Sequence, residues 1–264
     1  MNIRLKPCRF CGEVTAISSK SDAHRLLIAS ALSDRPTFIR CNARSADITA
    51  TVNCLNSLGA DIKFVDGGIS VKPIKEKRKS AVLDCNESGS TIRFLLPVAA
   101  SLGTNTEFTG GGRLPERPLS PLREQMEAHG VVFSPINVFP VKINGEMTSG
   151  EFTIKGNISS QFITGLLVAL PLLNGNSIIN VIPPVESRPY IDMTLNTLKK
   201  FGITVTEKSN SFFIPGGQKY ASPGTVESEG DWSNSAFFLT AGAVSGRVTV
   251  TGLDVSSGQG DKQI

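Results

Sequence analysis

Three stretches of the chain share one order of polar and apolar positions. Each begins with polar residues and continues with apolar residues three and four positions apart. An apolar-Gly-apolar triplet then follows, and the stretch ends in residues that alternate between apolar and polar. They read ADITATVNCLNSLGADIKFV, RPLSPLREQMEAHGVVFS and RPYIDMTLNTLKKFGITVTE, and the glycines of these triplets are Gly59, Gly130 and Gly202, 71 and 72 positions apart. The pattern predicts an amphipathic helix with a glycine just past its end, followed by a strand. Arg117 and Arg188 are predicted to open the second and third of these helices.

A second kind of helix recurs on the same period. Its bodies, HRLLIASAL, IRFLLPVAAS, FITGLLVALPLL and SAFFLTAGAV, are apolar on nearly all sides, which is typical of buried helices. Their predicted starts are Ser21, Ser88, Ser160 and Ser233, and a strand-like run precedes each. The chain is therefore predicted to be α/β (α+β), built from repeated βαβαββ units, with three complete units and the start of a fourth near Gly224.

Composition narrows the classes of function. The chain has 264 residues, a net charge of +4 and only 6% aromatic residues, which fits anionic small molecules and argues against nucleic acid as a partner. The longest apolar run, 162–173, is too short to span a bilayer, and the first ten residues lack the apolar core of a signal peptide, so we expect no membrane partner and a cytoplasmic protein. Five cysteines favour a reducing compartment over a disulfide framework. The single pair Cys8 and Cys11 is a weak zinc signal, and no metal or organic cofactor is predicted.

Hydroxyls and cations gather where the buried helices begin. Lys20 and Arg25 lie at the first start, and Arg93 lies one turn inside the second, after NESGST. A helix start exposes unpaired N–H groups and carries partial positive charge, so it suits an anion. Simple capping would explain any one of these serines. The cations and the glycines of SGST and GGGR together indicate a phosphate-rich substrate pocket, with His24 as candidate polar lining.

Five segments then identify a family. SSKSDAHR, NESGSTIR, GGRLPERPLSPL, GNISSQF and SRPYIDMTL resemble, in order and spacing, the signature segments of the 5-enolpyruvylshikimate-3-phosphate synthase family. The resemblance implies the inside-out fold of enolpyruvyl transferases, with buried parallel helices and two domains of three units each. It implies that this chain is the N-terminal part of the full enzyme. Residues 19–224 would form the complete three-unit domain carrying the shikimate 3-phosphate site, and 1–18 and 225–264 would be pieces of the second, incomplete domain.

The resemblance also implies an activity: transfer of the enolpyruvyl group from phosphoenolpyruvate to the 5-hydroxyl of shikimate 3-phosphate, with release of phosphate. Lys20 would be catalytic, because it would bridge the two substrates. The implied shikimate 3-phosphate ligands are Lys20, Ser21, Arg25, Ser159, Ser160, Gln161, Ser187 and Tyr190. The implied phosphoenolpyruvate ligands are Lys20, Gly89, Arg117 and Gln161. We expect these two small molecules as partners, and a monomer.

Two departures and two alternatives accompany the resemblance. Many members read Gly-Asn-x-Gly-Thr where this chain has 86–90, which leaves the role of Glu87 open, and Arg188 stands where Lys is common. The family's acid and base residues lie in later units, so we expect the chain alone to be inactive. The alternatives are the sister transferase acting on UDP-N-acetylglucosamine, whose mobile-loop cysteine has no counterpart in GGRLPERPL, and a non-catalytic half-enzyme that binds phosphorylated sugars.

Overall fold

A computed structural model describes residues 9–135 and 139–264. The order βαβαββ occurs three times and is followed by βαβ, which confirms the predicted repeat. The first unit comprises β1 Cys11–Thr15, α1 Lys20–Ala31, β2 Thr37–Arg40, α2 Ala46–Ser57, β3 Asp61–Val65 and β4 Gly68–Lys72. The second comprises β5 Ser80–Asp84, α3 Gly89–Ser101, β6 Asn105–Thr109, α4 Leu122–Ala128, β7 Val132–Ser134 and β8 Val141–Asn144. The third comprises β9 Glu151–Lys155, α5 Ser160–Ala169, β10 Ser177–Ile182, α6 Arg188–Lys200, β11 Thr206–Lys208 and β12 Ser211–Ile214. The last comprises β13 Thr225–Glu227, α7 Trp232–Ser245 and β14 Arg247–Thr251.

Each complete unit contributes one four-stranded sheet. The second and third units give the orders β5-β6-β8-β7 and β9-β10-β12-β11, with one parallel pair and two antiparallel pairs in each. The first unit departs from this arrangement, because β13 takes the place of β1 beside β2 and β1 pairs in parallel with β14 instead. The sheet of the first unit is thus completed by a strand just past residue 224.

Helices α1, α3 and α5 form the interior. Leu26, Leu95 and Leu166 are fully buried, and so are nearly all residues of these three helices, as their all-round apolar pattern predicts. The sheets cover them with their inward-facing residues, such as Ile39 and Phe152. Because the helices are enclosed on their sides, the N-terminal ends are where their polar groups can meet a ligand.

Helices α2, α4 and α6 end as the sequence predicts. Gly59, Gly130 and Gly202 each lie two residues past the last helical residue, with φ of 112°, 92° and 75°. This left-handed conformation is cheap only for glycine, so the residue type stops the helix and turns the chain into the next strand.

The predicted start of the second amphipathic helix is wrong. Arg117 lies before α4, in extended conformation, after a short 3-10 helix over Leu114–Glu116, and α4 begins at Leu122. Pro118 and Pro121 both follow Arg117 within four residues, and each disfavours the helical region for the residue before it, so the helix begins only after the second proline. The start of α6 at Arg188 is confirmed, because this helix has a single proline, Pro189, in its first turn, where the missing N–H costs nothing.

The predicted burial of the fourth apolar helix is also wrong. Only Ser235 of α7 is buried, whereas Phe237 is 77% and Val244 is 81% exposed. Among the described residues, the strand pairing beside this helix is limited to β1 and β14. A helix that is apolar on all sides has apolar surface to bury on every side. The two strands β1 and β14 supply too little surface to cover α7. Cys8, half of the cysteine pair, lies outside the described residues.

Candidate functional site

Serines cap the three buried helices. The Oγ atoms of Ser19, Ser88 and Ser159 each accept a hydrogen bond from a backbone N–H in the first turn of α1, α3 and α5. The caps hold the entering chain against the helix start, while other N–H groups of the first turn stay available. Residues from the first turns of all three helices line one cavity, so the partial positive charges of the helix starts lie at the same end of the interior.

A cavity of about 340 Å³ opens at this end, between the starts of α1, α3, α5, α6 and α7. Six residues that the resemblance assigned to substrates line it: Lys20, Ser21, Arg25, Ser160, Gln161 and Tyr190. These residues are separated by up to 170 positions in the chain, so the fold brings them together. Of the other assigned residues, Ser159 caps α5 and Ser187 precedes α6, whereas Gly89 and Arg117 contact each other beside the cavity.

Arg25 is the buried cation of this cavity. It is 2% exposed, and its guanidinium donates to Thr194 Oγ1 at 2.8 Å, Tyr190 O at 2.9 Å and Ser21 O at 2.6 Å. Burial lowers the pKa of Arg25 to about 10, with a nearby carboxylate opposing the shift, so the group remains cationic at neutral pH. A fixed, poorly hydrated cation of this kind attracts an anion strongly, because it has little water to lose.

Lys20, unlike the buried Arg25, lies at the exposed rim of the cavity. Its side chain is half exposed, and Nζ lies 2.9 Å from Asp47 Oδ2. Its backbone N–H donates to Asp231 Oδ2 at 3.3 Å, which links the start of α1 to the cap of α7. A surface ion pair is weak and easily exchanged. The Lys20 ammonium is therefore free to leave Asp47 for a more strongly charged ligand.

Gln161 is held between two neighbours. Its Oε1 accepts from Arg93 Nη1 at 2.7 Å, and its Nε2 donates to Ser90 Oγ at 2.8 Å. Arg93 also donates from Nη2 to the carbonyl of Pro118 at 3.1 Å. One arginine thus ties the start of α5 to the segment that carries Arg117. The pKa of Arg93 is lowered by burial and by the neighbouring Arg117 cation.

At Gly89 and Gly112 the backbone is in close contact with the side chains of Arg117 and Glu87, respectively. A Cβ on Gly89 would lie 2.7 Å from Arg117 Nη1. A side chain on Gly112, which has φ of 54°, would collide with the Glu87 carboxylate. Glu87 therefore lies against the glycine-rich loop rather than in the 340 Å³ cavity, and the structure places Gly89 where only a residue without a side chain leaves the arginine in position.

Sequence reasoning did not assign four residues that line the cavity: Ser90, Phe94, Asp231 and Ser233. Ser90 and Phe94 lie on the first turns of α3, and Asp231 caps α7. The recurring polar residues at the helix starts were the one sequence feature that could have pointed to these four residues. Which residues of each first turn face the cavity depends on the rotation of the helices, and the sequence does not reveal it.

The chain matches the family model described as EPSP synthase (3-phosphoshikimate 1-carboxyvinyltransferase) over residues 6–264. The chain belongs to this family. Two curated relatives named 3-phosphoshikimate 1-carboxyvinyltransferase come from Brachyspira hyodysenteriae, 40% identical over 267 residues, and Clostridium novyi, 38% identical over 274 residues. Each alignment covers 100% of this chain and 63% of the relative. The chain thus spans 63% of the length of these two members of the EPSP synthase family.

Solved structures confirm the fold of an EPSP synthase. Two structures of EPSP synthase from Acinetobacter baumannii superpose with TM-scores of 0.77 and 0.78 at 21% identity. The superpositions cover 92% and 93% of this chain and 55% and 57% of theirs. The predicted fold class, repeated βαβαββ units with buried parallel helices, is therefore confirmed. The described residues contain no helix whose length and apolarity would let it cross a membrane.

Proposed function

We propose that this chain supplies the shikimate 3-phosphate site of an enzyme that transfers the enolpyruvyl group of phosphoenolpyruvate to the 5-hydroxyl of shikimate 3-phosphate and releases phosphate. The observation that carries the proposal is the cavity at the helix starts, where Lys20, Arg25 and Gln161 meet in a chain of the EPSP synthase family. The names of the relatives support the choice of substrates.

The cavity suits a phosphorylated polyol with a carboxylate. The start of α5 offers the hydroxyl and N–H groups of Ser160 and the amide of Gln161, and α1 offers the Arg25 cation. These groups neutralise anionic oxygens while hydroxyl and amide side chains bind the ring hydroxyls. In the proposal the shikimate 3-phosphate ligands are Lys20, Ser21, Arg25, Ser159, Ser160, Gln161, Ser187 and Tyr190.

Phosphoenolpyruvate is proposed to lie beside it, against Gly89 and Arg117. Gln161 can serve both ligands, since Arg93 and Ser90 fix its amide between the two places. Lys20 leaves Asp47 and bridges the substrates, which offsets the repulsion between two multiply charged anions. Holding both substrates together also removes much of the entropic barrier to their reaction.

The chain alone is proposed to bind but not to turn over. Residues 19–224 would act as the substrate-binding domain, with 1–18 and 225–264 as parts of a second one. The proton-transferring residues of the reaction would belong to the portion of the relatives that this chain does not span. We further propose that the chain is a monomer.

Calorimetric titration of the 264-residue chain with shikimate 3-phosphate tests the proposal, with shikimate and UDP-N-acetylglucosamine as control ligands. We expect saturable binding of shikimate 3-phosphate, weaker binding of shikimate because the phosphate contacts are lost, and no binding of the nucleotide sugar. Binding of the nucleotide sugar alone would favour the sister transferase. A phosphate-release assay with both substrates accompanies the titration, and turnover by the chain alone would refute the proposed inactivity.

A further inference from the structure

His24 is a polar cavity residue to which the proposed function assigns no role. It lies on α1, four residues after Lys20, and lines the same cavity. It is 1% exposed, with its ring edge-on to Phe94 at 6.3 Å between centroids.

A chain of hydroxyls fixes the proton on this imidazole. His24 Nδ1 lies 2.8 Å from Thr51 Oγ1, Thr51 Oγ1 lies 2.7 Å from Thr91 Oγ1, and Thr91 Oγ1 donates to Ser88 Oγ at 2.7 Å. Each threonine hydroxyl has one proton to give. Thr91 gives its proton to Ser88, so Thr51 must donate to Thr91, and His24 must donate to Thr51. The imidazole therefore carries its proton on Nδ1 and an open lone pair on Nε2.

Nε2 has no hydrogen-bond partner among residues 9–135 and 139–264, although it is buried. Nδ1 is turned to Thr51, which does not line the cavity, whereas His24 itself does. The ring stays neutral, since burial lowers the pKa of His24 to about 3 and Lys20 and Arg25 act in the same direction against Asp47. His24 is thus a neutral residue of the cavity lining, with a buried acceptor that has no partner in the described part of the chain and with Lys20 and Arg25 as charged neighbours.

We propose that His24 Nε2 accepts a hydrogen bond from a ring hydroxyl of the bound ligand and thereby selects a hydroxyl over an anionic oxygen at this point of the cavity. The inference rests on the proposed function and names one further ligand-positioning contact of that site. Phosphate and carboxylate oxygens are acceptors, so they gain nothing from Nε2 and go to Lys20, Arg25 and the helix starts. A hydroxyl satisfies a buried acceptor whose desolvation is otherwise uncompensated.

The tautomer is tested first, without any ligand. The chain has only two histidines, His24 and His129, so either variant, His24→Phe or His129→Phe, assigns the ring signals of His24 in a ¹⁵N-labelled sample. We expect a protonated Nδ1 and an unprotonated Nε2 at neutral pH. A proton on Nε2 would overturn the proposal, and this readout does not require the variant to bind ligand.

The contact is tested by combining the variant with altered ligands. Shikimate 3-phosphate and its 4-deoxy and 5-deoxy analogues are titrated into the unmodified chain and into His24→Phe. The substitution is expected to weaken shikimate 3-phosphate binding by roughly 3- to 10-fold, and to leave the affinity for one deoxy analogue unchanged. Ser30→Ala, at the far end of the same buried helix, is the control and is expected to alter none of the three affinities.

The outcomes separate the two proposals. Suppose that the unmodified chain binds shikimate 3-phosphate but His24→Phe weakens the binding of all three ligands by the same factor. His24 then has only a structural role in α1, and this inference fails. If the unmodified chain binds none of the ligands, the proposed function fails and this inference fails with it. If His24→Phe does not fold, the spectrum of the unmodified chain with each analogue replaces the affinity data. The Nε2 signal must then shift with shikimate 3-phosphate and stay in place with one analogue.

Discussion

Arg25 owes its position to four acceptors on three helices. Thr164, Thr194 and the carbonyls of Ser21 and Tyr190 surround its planar guanidinium, and Phe94 packs 5.3 Å below it. A lysine keeps the charge but presents three donors at a single point. It cannot reach acceptors on α1, α5 and α6 at the same time, so the cation would no longer be fixed relative to the ligand.

Arg25→Lys is therefore expected to weaken shikimate 3-phosphate binding by about 10- to 100-fold. Titration calorimetry measures the affinity, and thermal unfolding reports the accompanying loss of stability. Arg35→Lys is the matched control, because Arg35 also uses its guanidinium as a hydrogen-bond donor, from Nε and Nη2 to the Ser222 carbonyl, but does not line the cavity. Equal affinities for Arg25→Lys and the unmodified chain would contradict a ligand role for this guanidinium.

At this scale the sequence reveals residue types better than contacts. Ser21, Arg25 and Gln161 stand in short motifs whose order resembles the family, so their convergence on one cavity could be anticipated. Ser90 and Arg93 could not be assigned in the same way, since their hydrogen bonds to Gln161 connect α3 with α5 across 71 and 68 positions. Such contacts depend on how the two helices rotate against each other, and no local pattern encodes that rotation.

Among the elements, α3 combines a cap with a buried polar chain. Ser88 Oγ accepts from the backbone N–H and from the hydroxyl of Thr91. Ser88→Ala removes the cap, at about 1 kcal/mol, and leaves the buried Thr91 hydroxyl without its acceptor, at about 1 kcal/mol more. We expect a loss of about 2 kcal/mol in the free energy of unfolding, measured in urea. Ser45→Ala, which removes only the cap of α2, should cost about half as much.

Helix α7 shows where a periodic pattern misleads. Its sequence is as apolar as those of the buried helices, yet Phe237 is 77% exposed while Phe162 of α5 is fully buried. Phe237→Ser is expected to change the free energy of unfolding by less than about 0.5 kcal/mol. Phe162→Ala should cost about 3–5 kcal/mol. Urea denaturation compares the two, and a large loss for Phe237→Ser would mean that α7 is covered in solution.

At the scale of the whole molecule, β1 and β13 exchange places, so the segment after β1 (residues 16–19) runs beside the segment after β13 (residues 228–231). These are the two crossing segments. Ser19 N–H donates to Glu229 O at 2.7 Å, and Asp231 N–H donates to Ile17 O at 2.8 Å. The repeat was visible in the sequence, and the resemblance implied that 1–18 and 225–264 belong together, but the pairing of β13 with β2 was not anticipated, because each unit begins with a similar short strand. Either strand would satisfy the edge of β2 locally, so the pairing is decided by the connection of the whole chain.

Asp22 reinforces the crossing from inside the fold. Its Oδ2 accepts from the backbone N–H of Glu229 at 3.0 Å, and it is 4% exposed. Burial raises the pKa of Asp22 above its ordinary value of 3.8, although the hydrogen bond from Glu229 opposes the shift. The folded protein therefore binds this proton more tightly than the unfolded chain does. Ionisation of Asp22 costs stability as the pH rises above about 3.8 and through the folded-state pKa.

Asp22→Asn keeps an oxygen acceptor for Glu229 and removes this titration. The free energy of unfolding of the variant, relative to the unmodified chain, is expected to rise between pH 4 and pH 7, because only the unmodified chain ionises a buried carboxyl in that interval. Asp34→Asn is the control of opposite sign. The backbone N–H of Ser222 lowers the pKa of the exposed Asp34 carboxyl, so its contribution is lost only below about pH 3.8, and its difference should be flat over the same interval. Urea unfolding at four pH values measures both differences. A flat difference for Asp22→Asn would mean that the two crossing segments open enough to hydrate this carboxylate.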